Sequence, residues 1–246
     1  MRISDIIETL ADIAPIELAE EWDNVGLLAG DREAETDAVV CALELSEGVL
    51  DEAVAAGAGL IVTHHPILFR GRKRLTEDDA EGRLLCRLIR TGTALYAMHT
   101  NFDNAHPGVN DAMCERLGLS EVTALEHGMC LGRIGEMTLD AFAAHVRGRL
   151  GGAVRPYGEP DRRIRNVAVM GGAGGDYAPM ARAAGADAFI TGECGYHKAL
   201  DAAAEGLAVL ECGHAATEDP AIDMLAAMLK ERLPVKVMRS KAKMYY

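Results

Sequence analysis

Ile3, Ile6, Ile7, Leu10 and Ile13 recur at three- and four-residue spacing, the period of a helix with one apolar face. The pattern predicts an opening amphipathic helix with Ser4 as its N-cap and Pro15 as its stop. Residues 39–45 form a short apolar run interrupted only by Glu44, as expected of a strand buried on both faces. The chain then alternates: a helix over 49–58, a strand over 60–63, a helix over 81–90 and a strand over 94–98. The middle differs, with strands over 130–137 and 153–157 flanking a helix over 139–150. Thr138 is placed to cap that helix, and Gly151-Gly152 to end it.

Alternation resumes afterwards, with strands over 167–170, 188–191 and 207–211 separated by helices over 177–184 and 196–204. A last long helix carries Ile222, Leu225, Met228 and Leu229 on one face and leads to a strand over 235–238. This order predicts an α/β fold of two α/β lobes with mainly parallel sheets. The whole of 1–246 reads as one unit, with approximate lobes 1–122 and 123–246.

Composition narrows the class. A chain of 246 residues with 49% hydrophobic content can bury a sizeable core, and aromatics at 4% leave most of that core to aliphatic side chains. A net charge of −13 lacks the basic footprint of a general nucleic-acid binder, so that partner is not expected. No apolar run approaches the ~18 residues of a membrane span, and Arg2 and Asp5 bracket helix rather than a secretory leader. The expectation is a soluble, cytoplasmic protein with no membrane partner. Six scattered cysteines show no C-x-x-C spacing, which suits small buried hydrophobes better than disulfides. Cys212 stands apart, two residues before His214.

In open parallel sheets ligands gather beyond the carboxyl ends of strands. Three such ends carry metal-competent residues: Thr63-His64-His65, His99-Thr100-Asn101-Phe102-Asp103, and Gly213-His214-Ala215-Ala216-Thr217-Glu218. Adjacent histidines leaving an extended segment suit two acceptors, such as a pair of metal ions about 3.5–4 Å apart. Thr217 reads as the N-cap of the last helix, with Pro220 in its first turn and Glu218 at its N-terminus. Each loop has a plainer reading: Asp103 capping a turn, Glu218 as a first-turn acid, His214 as a core histidine. Together, acids and imidazoles at three strand ends point to metal.

The stretches Trp22-Asp23-Asn24-Val25-Gly26-Leu27, Thr63-His64-His65-Pro66, His99-Thr100-Asn101-Phe102-Asp103, Thr191-Gly192-Glu193, Tyr196-His197 and Gly213-His214-Ala215-Ala216-Thr217-Glu218 resemble the Nif-three-like family. Its members are often labelled type 2 homologues of GTP cyclohydrolase I. The resemblance spans essentially the whole chain. It implies a centre of two divalent metal ions held by His64, His65, Asp103, His214 and Glu218, between the lobes, in a homohexamer. Glu218 is the expected bridging carboxylate and Asp103 the runner-up. Glu44 departs from the family, which commonly has Asp there. Mixed nitrogen and oxygen ligation leaves zinc, manganese, iron, cobalt and nickel open.

His99 and His197 are candidate proton-transfer or supporting groups, with a simple structural hydrogen bond as the alternative for both. Two further segments bear on substrate. Gly174 lies in Gly171-Gly172-Ala173-Gly174-Gly175-Asp176, where backbone N–H groups could cradle an anion or merely form a tight turn. Arg72 and Arg74 belong to a basic cluster just after the paired histidines, suited to a nucleotide or phosphorylated small molecule or simply to water. The leading expectation is a metal-dependent hydrolase, cyclohydrolase-type or phosphoester-cleaving, acting on a nucleotide or phosphorylated heterocycle. The alternative is a non-enzymatic ring protein that binds or delivers metal or serves as a scaffold.

Overall fold

A computed structural model describes residues 1–242, which fall into two compact units. The first comprises Met1–Ala105 and the segment from Ile222 onward, and the second His106–Ala221. In chain order the first unit begins with helix α1 (Ile3–Ile13), strands β1 (Gly26–Ala29) and β2 (Ala38–Ala42), helix α2 (Glu47–Ala56) and strand β3 (Leu60–Thr63). Helix α3 (Ala80–Thr91), strand β4 (Ala94–Ala97) and the single turn α4 (Thr100–Asp103) follow. Arg2, not Ser4, occupies the N-cap of α1; Ser4 lies inside the helix and is buried. Ser46 caps α2 by accepting the Val49 N–H at 3.3 Å, and β2 ends at Ala42, short of the expected residue 45.

The second unit holds α5 (Val109–Leu117), β5 (Ser120–Ala124), β6 (Cys130–Thr138), α6 (Leu139–Leu150), β7 (Arg155–Tyr157) and β8 (Arg163–Met170). It continues through α7 (Ala178–Ala183), β9 (Ala188–Thr191), α8 (Tyr196–Ala204) and β10 (Ala208–Glu211) to α9 (His214–Arg232). Within α9 the chain passes from the second unit to the first, and it then forms β11 (Lys236–Arg239).

Among the described residues the first unit carries one five-stranded sheet, ordered β1-β4-β3-β2-β11. Its β4–β3, β3–β2 and β2–β11 pairings are parallel, and only β1 runs antiparallel, on β4. Every residue of β2, β3 and β4 is buried, which explains their unbroken apolar runs. The six-stranded sheet of the second unit, β5-β6-β8-β9-β10-β7, is more mixed. Its centre, β8-β9-β10, is parallel, while β5, β6 and β7 run antiparallel at the two ends. Alternate residues of its central strands feed two cores. Val167, Val169 and Ile190 face the layer of α5 and α6, whereas Ala168, Phe189 and Val209 face that of α7 and α8.

The lobe division expected at 122/123 shifts for two physical reasons. Helix α5 packs Met113, Cys114 and Leu117 into a core of the second unit, so that unit starts at His106. At the other end β11 pairs in parallel with β2, matching Val237 to Val39, which returns the chain to the first unit. Among the described residues no helix is long and apolar enough to cross a membrane.

Candidate metal centre

In the first unit the parallel ladder runs one step past the end of β3. The His64 N–H donates to the Ala42 carbonyl at 3.2 Å and the His65 N–H to the Leu43 carbonyl at 2.9 Å. The chain then bends, so the two rings do not diverge as an extended pair would. Their centroids lie 5.0 Å apart, and His99, arriving after β4, stands 5.2 Å from His64 and 5.6 Å from His65. One ligand nitrogen from each of the three lies within 4.8 Å of the others. Asp103, at the end of α4, brings Oδ1 to 3.7 Å from His64 Nε2. The structure therefore gathers His64, His65, His99 and Asp103 within one unit.

Each of these imidazoles is held by its other nitrogen. His64 Nδ1 donates to the Met98 carbonyl at 2.7 Å, His65 Nδ1 to Glu44 Oε1 at 3.2 Å and His99 Nδ1 to Asp23 Oδ1 at 2.9 Å. An acceptor on Nδ1–H fixes the tautomer and places the lone pair on Nε2, the arrangement of metal-ligating histidines. Asp23 is itself tied down, its Oδ2 accepting the Thr100 N–H at 3.0 Å and the Thr100 hydroxyl at 2.5 Å. Burial pushes the Asp23 carboxyl up, but the His99 and Thr100 hydrogen bonds outweigh it and hold the group well below the usual carboxylate range. Asp23 thus stays ionised and orients His99.

The second unit presents a smaller set. Helix α9 starts at His214, directly after the Cys212-Gly213 turn from β10, so Thr217 lies inside the helix rather than at its N-cap. Its hydroxyl donates to the His214 carbonyl at 2.7 Å and accepts the Gly172 N–H at 3.1 Å. Pro220, expected in a first turn, is likewise inside the helix, where it removes one backbone donor. His214 and Glu218 are one helical turn apart on the same face, with Nε2 and Oε1 at 3.2 Å. His214 Nδ1 donates to Glu193 Oε1 at 3.1 Å, repeating the arrangement of the first unit. Glu218 is buried, with 4% of its surface exposed. Gly172 explains how a carboxylate fits there: at φ +60° its missing Cβ would come within 2.3 Å of Glu218 Oε1.

Both Nε2–carboxylate contacts join two acceptors once Nδ1 carries the proton. A cation between them relieves that conflict, and metal bonds of ~2.0–2.2 Å put nitrogen and oxygen ligands about 3.0–3.5 Å apart. The donor set accordingly fits divalent metal.

Other expected site residues are placed differently. Arg72 is committed to acids of its own segment, Asp79 at 2.6 Å and Glu81 at 2.7 Å, and braces the entry to α3 instead of facing a phosphate. Arg74 is exposed, with its carbonyl accepting Arg72 Nε at 3.4 Å. Gly174 is no anion cradle: its N–H donates to Thr191 Oγ1 at 3.0 Å, and the Gly171 and Gly172 N–H groups go to Asn110 Oδ1 and Thr217 Oγ1. Its Cβ would lie 2.7 Å from Thr191 Oγ1, so close packing is what requires glycine. His197 sits exposed in the first turn of α8 against Tyr196, and among the described residues it joins no metal-competent group of three. Cys212 is a buried thiol, pushed up to about 12 by burial and the neighbouring Glu211. In the sequence Asp23 and Glu193 stand out only as members of motifs, and Asn110 does not stand out at all. A histidine beyond a strand end is the sequence signal for an orienting carboxylate, but only the folded chain supplies the pairing.

A family model described as Duf34/NIF3 (NGG1p interacting factor 3) matches residues 1–244. The chain belongs to this family. Two NIF3 relatives are named GTP cyclohydrolase 1 type 2 homolog. One, from Clostridium acetobutylicum, is 35% identical over 95% of this chain and 91% of its own length. The other, from Streptomyces coelicolor, is 38% identical over 94% of this chain and 86% of its own length. Among solved structures, a Staphylococcus aureus protein superposes with a TM-score of 0.92 at 27% identity, covering 100% of this chain and 99% of that one. A Bacillus cereus protein described as related to NIF3 gives 0.94 at 25% identity, covering 100% and 98%.

Proposed function

We propose that this NIF3 protein is a dinuclear divalent-metal protein that acts as a hydrolase on a nucleotide or related phosphorylated heterocycle. His64, His65, Asp103, His214 and Glu218 would hold the two ions, with Glu218 as the bridging carboxylate. The observation that carries the reading is the shared anchoring of four imidazoles, His64, His65, His99 and His214, each donating through Nδ1 to a carbonyl or carboxylate. That arrangement prepares Nε2 donors before any ion arrives. Glu44, which stands where the family commonly has Asp, supports His65 rather than replacing a ligand.

Bound there, divalent ions would supply Lewis-acid polarisation of a substrate oxygen and an acidified water. The chain's own part is orientation and proton handling. His99, backed by ionised Asp23, can take a proton at Nε2 while the carboxylate stabilises the resulting imidazolium. The names of the relatives favour GTP as the first substrate to test, and the resemblance carries a homohexamer with it.

Metal analysis of protein purified without added metal, followed by turnover assays with GTP and a phosphodiester, tests the reading. At least two ions per chain and turnover abolished by Glu218→Ala support it. Stoichiometric metal transfer without turnover supports the delivery role instead, and absence of bound metal after equilibration with zinc, manganese and cobalt removes both. Sedimentation velocity checks the hexamer.

A further inference from the structure

We propose a second, separate metal site in the second unit, a zinc-class site formed by His106, Asp111 and Cys130. These three offer ligand atoms within 4.8 Å of one another, and two come from different elements: Asp111 from the first turn of α5 and Cys130 from the start of β6. His106 comes from the segment leading into α5.

The spacing is that of coordination. Bonds of ~2.3 Å to thiolate and ~2.0–2.2 Å to carboxylate, set at tetrahedral angles, separate sulfur and oxygen by about 3.6 Å. Cys130 Sγ lies 3.8 Å from Asp111 Oδ1, long for a strong hydrogen bond and suited to a shared cation. The other carboxylate oxygen is engaged in holding the site together. Asp111 Oδ2 accepts the Gly108 N–H at 2.9 Å and His106 Nδ1 at 2.9 Å, which fixes the carboxylate while leaving Oδ1 toward sulfur.

The cluster is graded in exposure. Cys130 is fully buried, the Asp111 side chain is 26% exposed and that of His106 36%, so an ion reaches the thiol through the imidazole edge. One thiol, one imidazole and one carboxylate are a borderline-soft set that favours zinc over magnesium or calcium and leaves a fourth position for water. Binding releases the Cys130 thiol proton to solvent. The site would staple the approach to α5 onto β6. Asn110, next to Asp111, holds the Gly171 N–H at 2.8 Å, and the adjoining Gly172 lies against Glu218. An ion here is therefore placed to steady the floor beneath a proposed ligand of the main centre.

Cadmium titration of metal-free protein tests this independently of any turnover. The expected result is a sulfur-to-cadmium charge-transfer band whose limiting amplitude corresponds to one thiolate per chain, since the proposed main centre takes up cadmium without sulfur. Cys130→Ser should abolish it, and His106→Gln should weaken binding by roughly tenfold or more. Glu218→Ala should leave the band in place. Because Cys130 is buried, circular dichroism checks that its variant folds, and the more exposed His106 variant keeps the test decisive otherwise. No thiolate band in the wild-type protein, or a band that survives both substitutions, overturns the proposal.

Discussion

Asp23 shows what a single carboxylate contributes when its partners lie far along the chain. It gathers His99 and Thr100, 76 and 77 positions away, and its side chain is fully shielded. Asp23→Asn should lower stability by about 1.5–3 kcal/mol, the usual worth of hydrogen bonds to a charged group, as read from urea midpoints at neutral pH. The folded carboxyl titrates below its unfolded value. Its stabilisation is thus complete above about pH 4 and is lost as pH falls toward the folded value, so the variant should flatten the acid limb of the stability profile. Gly172 makes the complementary case for space. Gly172→Ala adds a methyl 2.3 Å from Glu218 Oε1 at a positive φ. A loss of about 1–3 kcal/mol and weaker metal retention should follow, measured by thermal denaturation and by chelator competition.

At the scale of elements, burial decides both stability and legibility. Strand β3 sits between β2 and β4 with every residue buried, so its amides should be among the slowest to exchange with deuterium. Ile61→Ala in that strand should cost about 2–5 kcal/mol in equilibrium unfolding. The same property makes β3 and β9 readable at their true bounds, since each is a wholly buried run of three apolar residues and a threonine. Helix α6 was equally plain because Thr138 caps it, accepting the Ala141 N–H at 3.2 Å. Strand β5 leaves no mark in the sequence because all its residues are exposed, giving no inside–outside alternation. Helix α5 is hard to read in the sequence because Asn110 and Asp111 interrupt its apolar face, and both are there for contacts with distant glycine backbone or with neighbouring sulfur and imidazole. The proposed ligands were visible because imidazoles and carboxylates at strand ends stand out in an apolar background. The carboxylates that orient His99 and His214 are not, because the Asp23–His99 and Glu193–His214 pairings exist only after folding.

At the scale of the molecule, the first unit is discontinuous and the second is not. Strand β11 closes one side of the first sheet, with Lys236 to Arg239 registered against Ala38 to Cys41. A chain stopped before Lys236 should expose β2 as an unpaired apolar edge. The expected outcome is concentration-dependent aggregation in light scattering, with a lower denaturation midpoint. A truncated chain that stays monodisperse and as stable as the full one would show β11 to be dispensable.

That discontinuity sets an order of events during translation. Residues 106–221 form a contiguous stretch that can emerge from the ribosome and pack while the first unit still lacks its final strand. Until β11 is made, the nascent chain holds one finished body and one open sheet. That interval is when a chaperone would have the most surface to protect.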